Sequence, residues 1–242
     1  MRINENTVEL FSFLATTVVA SIDCSKQIIS TYRTEVLCNQ SRDVSGLAPC
    51  THEEADTRII PHLEDAVKEG KRKVSIRTVD SDVAVLAVTS AQRLNNAEVW
   101  IAFGTVKCFR FIAVHEIARA LGPDRCMALP MFHAFKGCDA VSIFGGRSKR
   151  TAWDTWKACD DVTPALCSLA TTPESVESFI KPLERFVILL YDRTRNLECV
   201  NQARMQLFTQ KGRSIEGISR QRQLSYSTLS GEFTRLVTAG AK

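Results

Sequence analysis

The sequence predicts an α/β fold: a mainly parallel sheet with helices on both faces, followed by a helical extension from about Asp161. Three observations predict it. Short β-branched runs alternate with segments of helical periodicity, the signature of strand–helix–strand units. A composition of 45% hydrophobic and 24% charged residues over 242 positions supplies a full core and excludes wholesale disorder. The longest strongly apolar run, Phe186-Val-Ile-Leu-Leu-Tyr191, falls far short of the ~20 residues a membrane-spanning helix needs. The opening Met1-Arg-Ile-Asn-Glu-Asn also lacks the basic-then-apolar order of a secretory signal. These observations argue against membrane insertion and export.

The elements follow in chain order. Thr7 to Ala20 carries Val8, Phe11, Leu14 and Val18 at helical spacing, an amphipathic helix. Asn39 to Pro49 is turn-rich and reads as a loop. A second helix is expected from Glu53 to Glu69, kinked by Pro61 and closed by Gly70. Lys73 to Val79 alternates and is β-branched, hence a strand. Asp80-Ser-Asp82 follows at its carboxyl end, before a helix over Val83 to Leu94. Glu98 to Phe103 reads as the next strand, ended by Gly104. Ile112 to Leu121 is a helix stopped by Gly122-Pro123, Leu129 to Phe135 a short apolar one, and Ser148 to Ala158 another, opened by Gly145-Gly146. Beyond Asp161 the pattern stays helical, punctuated by Pro164, Pro173 and Pro182.

Nine cysteines, an odd number with no Cys-x-x-Cys pair, read as small apolar residues of a reducing compartment, not as a disulfide or zinc framework. A net charge of +4 is mild; it permits an anionic partner without requiring one. His115 and His133 lie on apolar stretches and read as packed, hydrogen-bonded histidines, because no second ligand keeps metal spacing with them. Cys138 reads as packing, not as a nucleophile, since no histidine precedes it at a motif-like spacing. Trp100, Trp153 and Trp156 read as core before base-stacking surface.

The carboxylates carry the chemistry. Asp80 and Asp82 stand just after a strand, where open parallel sheets place their ligands. Glu53, Glu54 and Asp56 open one helix, and Asp139 sits in a Gly-Cys-Asp turn. Acidic clusters brought to one sheet edge repel unless they hold hard cations, and Mg²⁺ prefers carboxylate and water oxygens. Two such ions about 3.5–4 Å apart stabilise the attacking and leaving oxygens of a phosphodiester cleavage. Each acid also has a local alternative. Glu54 fits a capping box opened by Thr51, Asp80 or Asp82 fits a helix cap, and Asp139 fits its own turn.

The segments Glu54-Ala55-Asp56, Thr78-Val79-Asp80-Ser81-Asp82, Gly137-Cys138-Asp139 and Gly146-Arg-Ser-Lys-Arg-Thr-Ala152 occur in an order that resembles the flap-endonuclease/XPG group of PIN-like nucleases. A closer resemblance, from Val8 to about Gly217, is to mobile-element-associated animal proteins of that type. It rests on His52 to Asp56, Arg77 to Val88, Ala128 to Trp156 and Glu184 to Arg193. The resemblance implies a PIN-like core over 1–160, a helical extension over 161–217 and a divergent tail over 218–242. Carried over position by position, it makes Glu54, Asp56, Asp80, Asp82 and Asp139 the catalytic, metal-holding carboxylates. It makes Gly145, Gly146, Lys149 and Arg150 the phosphate contacts, although without the resemblance a solvated helix face is the simpler account of both cations. The implied cofactor is a pair of Mg²⁺ or Mn²⁺ ions. The implied partner is nucleic acid, DNA first, with no membrane and no small-molecule cofactor; the implied location is intracellular, the nucleus before the cytoplasm.

Three departures from that pattern temper the implied activity. Flap endonucleases carry further strand-borne aspartates upstream of the Glu-Ala-Glu segment, and neither Asp23 nor Asp43 follows an apolar strand here, so the expectation is a chain lacking at least one strand and one ligand. Ser148 stands where a second glycine is usual, and a Cβ is expected to tolerate positive φ poorly there. From Ile218 onward the relatives' pattern is lost, as a shifted reading frame would lose it. Two functions therefore stay open: a divergent metal-dependent nuclease-like domain hydrolysing phosphodiester bonds, or an inactive nucleic-acid-binding or scaffold relic of a mobile element. A nucleotide-binding doubly wound domain is disfavoured by the lack of a Gly-x-Gly-x-x-Gly turn.

Overall fold

The computed structural model describes residues 2–21, 25–51, 55–94, 96–105, 108–136, 147–171, 176–192, 196–197 and 202. Expectations on His52, Glu53, Glu54, Gly137–Gly146 and the tail 218–242 lie outside these residues. The architecture is mixed α/β, with seven helices and two small sheets among the described residues. The chain divides into two compact units, 1–74 and 75–242.

In the first unit, α1 (Arg2–Ser21) packs on a hairpin of β1 (Ile29–Tyr32) and β2 (Glu35–Cys38), and α2 (Ala55–Lys68) follows. The hairpin pairs antiparallel in the register Ile29↔Cys38 to Tyr32↔Glu35. It adds to the expected elements. Its two-residue turn places Arg33 at φ 52, where glycine or asparagine is the usual signal, so nothing in the turn's composition announces it. Helix α2 continues across Pro61 as one element, starting at the Ala55 of the Glu-Ala-Asp segment. Polar contacts tie this unit together. Arg42 Nη2 donates to Asp65 Oδ1 at 2.5 Å, and the hydroxyl of Thr31 meets His62 Nε2 at 2.6 Å, joining β1 to α2. Among its described residues the buried apolar side chains are Leu47, Cys50, Ile60 and Leu63.

The second unit opens within β3 (Lys73–Thr78) and continues through α3 (Ser81–Ala91) and β4 (Glu98–Phe103), a strand–helix–strand unit. The chain then turns at Gly104 into β5 (Arg110–Ala113), which pairs antiparallel with β4 from Trp100↔Ala113 to Phe103↔Arg110. The sheet order is β3-β4-β5. This corrects the expectation of a mainly parallel sheet: it is a small mixed one. The reason lies in two places. Gly104 adopts φ +108, and a Cβ there would run into the backbone carbonyl of Cys108, so only glycine lets the chain double back this tightly. Residues 110–113 form a strand too short to betray a period, and the helix expected at Ile112 starts at Val114.

Helix α4 (Val114–Lys136) joins the two helices expected on either side of Gly122. The break is real, since Gly122 has φ 76 and ψ 170, and the chain resumes helical geometry at Pro123, which needs no amide donor there. Helices α5 (Lys149–Lys157), α6 (Val162–Thr171) and α7 (Val176–Tyr191) complete the unit. Their core is aromatic. Phe132 of α4 stacks on Trp156 of α5 at 4.3 Å and meets Phe186 of α7 edge-on at 6.2 Å. Leu166 and Leu169 of α6 and Leu183 and Leu190 of α7 close around them. Trp156 is 1% exposed, as its helical spacing suggested. Cys126 and Cys159 are buried likewise, whereas Cys108 is exposed.

No described helix is long and apolar enough to cross a membrane.

Candidate functional site

The described part of the candidate site is the carboxyl end of β3. The strand stops at Thr78 because Asp80 turns the chain into α3. Its backbone is extended (φ −93, ψ 132), and its Oδ1 accepts from the amide of Asp82 at 2.8 Å. The amide of Asp80 in turn donates to Thr78 Oγ1 at 2.9 Å. Asp80 is thus an N-cap, satisfying a donor that the first helical turn leaves without an intrahelical partner. Asp82 sits in that first turn, where the helix dipole favours negative charge.

Asp82 has a second partner that no local pattern announces. His133, 51 residues later on α4 and 8% exposed, bonds Asp82 Oδ1 through Nε2 at 2.8 Å. An ionised carboxylate only accepts, so Nε2 carries the proton and donates. The expectation of a packed, hydrogen-bonded His133 fits this geometry; what sequence reasoning missed is that its partner is a candidate metal ligand. The bond belongs to a wider α3–α4 contact in which Thr89 Oγ1 also donates to the carbonyl of Cys126 at 3.0 Å. His115 also fits its expectation, with Nδ1 3.0 Å from the carbonyl oxygen of Val99 and its ring edge-on to Trp100.

Of the other expected ligands, Asp56 lies in the first turn of α2, half-buried, in the 1–74 unit. Glu54 and Asp139 lie outside the described residues; within the 75–242 unit, Asp80 and Asp82 stand together at the end of β3. Among the described residues no group of three histidine, cysteine, aspartate or glutamate side chains is set to hold a metal ion. Every bond that the carboxylates of Asp80 and Asp82 make to described residues uses Oδ1, which leaves Oδ2 of each without a partner among them. Asp43 accepts from the amide of Ser45 at 2.9 Å, an interaction that holds its carboxyl below the usual range, as its turn-like setting suggested.

The expected phosphate-contact segment is described from Arg147 onward; Gly145 and Gly146 are not. Ser148 is the N-cap of α5, its hydroxyl accepting from the amide of Thr151 at 3.1 Å. Its φ of −74 is ordinary extended backbone. This corrects the expectation of a strained position: no left-handed conformation is needed at Ser148, and serine is a favoured cap. Lys149 and Arg150 are both exposed. Arg150 reaches Asp154 at 4.0 Å from a side chain that is 93% exposed, a contact of little energetic weight. Arg147 is engaged instead, donating through Nη2 to the carbonyl of Tyr191 at 2.8 Å with its guanidinium over the Tyr191 ring.

One further cation completes the picture. Lys136, in the last turn of α4 and three residues beyond His133, has its pKa lowered to about 8, first by burial and then by the positive charge of Lys149. Sequence reasoning had no signal for it, since burial and a charge 13 positions away are tertiary facts.

The chain matches no model of a known protein family, no curated protein and no solved structure.

Proposed function

We propose that this chain carries a divergent, metal-dependent nuclease-like domain of PIN-like type. In this reading Asp80 and Asp82 contribute carboxylate oxygens to one or two Mg²⁺ or Mn²⁺ ions that activate water against a phosphodiester. The observation that carries the reading is the pair itself. Two aspartates at the carboxyl end of a strand, held by a helix cap and a buried histidine, each keep Oδ2 without a partner among the described residues. Positioning of this kind is what a metal-binding carboxylate needs from its surroundings. Glu54, Asp56 and Asp139 are proposed as the remaining ligands, Gly145, Gly146, Lys149 and Arg150 as phosphate contacts, and DNA as the first substrate to try.

The deciding experiment is Mg²⁺- or Mn²⁺-dependent cleavage of flap, hairpin and single-stranded substrates by the full chain. Asp80→Asn is the informative control. Asparagine caps a helix as well as aspartate does, so the variant removes charge while keeping α3 in place. The reading expects cleavage by the parent chain and its loss in Asp80→Asn; cleavage that survives the substitution overturns the metal assignment.

A second reading is favoured by the same bonds seen from the other side. Asp80 Oδ1 and Asp82 Oδ1 are already satisfied within the protein, as in a domain that keeps its acidic residues for structure. That reading, a non-catalytic nucleic-acid-binding or scaffold relic of a mobile element, expects binding without metal-dependent turnover.

A further inference from the structure

The 75–242 unit carries a surface that neither reading uses. Strand β5 is the edge of its sheet, and it presents aromatic side chains to solvent: Phe111 is 62% exposed and Phe109, just before the strand, 43%. Their rings meet edge-to-face, with centroids 5.1 Å apart and planes at 88°. An edge-to-face pair, unlike a stacked one, leaves ring faces that the other ring does not cover. Arg77 of β3 is exposed, and its guanidinium lies 5.6 Å from the Phe109 ring centroid. Strand alternation puts Phe109 and Phe111 on one side of the sheet, the side of Ala102, opposite Phe111 in the register. Arg110, at the same edge, lies over Phe103 on the other side.

The strand residues flanking this pair are basic, Arg77 and Arg110, while Asp80 and Asp82 stand just beyond the end of β3. Neither β3 nor β5 contains an acid, and the acid of β4 is Glu98. Glu98 is four residues along the strand from Ala102, or about 13 Å at the rise of an extended chain. Its Oε2 accepts from Trp100 Nε1 at 3.3 Å. Exposed phenyl rings are costly to leave in water, and beside a cation they suit a ligand that brings both a flat apolar face and an anion. Unpaired bases on a phosphate backbone bring both.

We propose that Phe109, Phe111 and Arg77 form a stacking platform for single-stranded nucleic acid at the β5 edge. One or two unpaired bases lie on the phenyl rings, while Arg77 meets a flanking phosphate. A duplex keeps its bases stacked on one another and offers the rings nothing, so the surface discriminates by strandedness and tolerates sequence. The inference stands apart from the nuclease reading, because binding here needs neither a metal nor the Asp80–Asp82 pair.

The test is fluorescence anisotropy of the full chain with labelled 12-nucleotide dT and U oligomers and a matched duplex, in EDTA so that cleavage cannot contribute. Binding of the single strands should be at least tenfold tighter than that of the duplex and should weaken as salt rises. Phe111→Leu keeps apolar bulk but has no π-face, and should weaken binding by about tenfold. Phe111→Trp should restore it, and Arg77→Gln should both weaken binding and flatten its salt dependence. Phe111 is exposed, so thermal unfolding of these variants should match the parent. The proposal is overturned if Phe111→Leu binds as the parent does, or if duplex and single strand bind alike. It is equally overturned if no oligomer binds; a self-association in sedimentation that Phe111→Leu abolishes would then assign the surface to a second copy of the chain. Absence of Mg²⁺- or Mn²⁺-dependent cleavage by the parent chain, with this binding intact, would count against the nuclease reading alone.

Discussion

The two units of this chain are held together by different physics. In 75–242 the helices α4 to α7 close on stacked aromatic and aliphatic side chains, with Trp156 and Phe186 each 1% exposed. In 1–74 fewer apolar side chains are buried among the described residues, and two polar contacts join separate segments: Arg42 to Asp65, and Thr31 to His62. Burial of large apolar groups is non-directional and largely indifferent to pH, whereas polar contacts depend on geometry and protonation. The comparison teaches that a substitution of similar size should act through volume in one unit and through charge in the other.

The largest expected effect is in the aromatic core. Trp156→Ala removes the ring that stacks on Phe132 and should cost about 3–5 kcal/mol in denaturant unfolding. A loss below about 1 kcal/mol would mean that this core is not what closes the unit.

Asp80 sharpens the same contrast inside that unit. Asp80→Ala deletes the cap of α3 and should cost about 1 kcal/mol, with Asp80→Asn close to neutral. Equal destabilisation by both, measured in the same unfolding assay, would show that the carboxylate's charge supports the fold beyond capping.

In the 1–74 unit the expected effect is one of pH. Burial lowers the pKa of His62 from its usual 6.5, so as pH falls through 6.5 the unfolded chain takes up the proton before the folded one does. The unfolded state then binds more protons, and stability declines with acidification. Hydrogen-exchange protection of the β1 and β2 amides, corrected for intrinsic rates, should drop between pH 7.5 and 5.5. His62→Gln should remove that dependence, and a flat parent profile would refute it.

The smallest effect on stability, and the most local, is at Lys136. With a pKa of about 8, roughly half of its amines are neutral at pH 8, when an ordinary lysine is almost wholly protonated. Acylation at pH 8 followed by peptide mass spectrometry should find Lys136 modified ahead of exposed lysines such as Lys149. Lys149→Gln removes a neighbouring positive charge and should slow that modification.

How far the sequence could be read varied element by element. Lys73–Thr78 and Glu98–Phe103 were legible because alternation and β-branching extend over six residues, and α3 because an aspartate precedes an apolar periodic run. The β1–β2 hairpin and β5 were not, since strands of four residues carry too little pattern. Of the candidate site, the cap at Asp80 was legible as a local alternative. The bond from His133 to Asp82 was not, because nothing at either position encodes a partner 51 residues away.

By itself, then, the sequence determined the local events: where strands alternate, where Asp80 and Ser148 begin helices, and where Gly104 and Gly122 must bend the chain. These depend on backbone preferences and on neighbours a few residues away. Only the tertiary structure decided that β5 turns back antiparallel, that Asp82 meets a buried histidine, and that Phe109, Phe111 and Arg77 share one surface. Such juxtapositions arise from packing between residues distant in the chain, where burial and partner geometry, not local propensity, set the outcome.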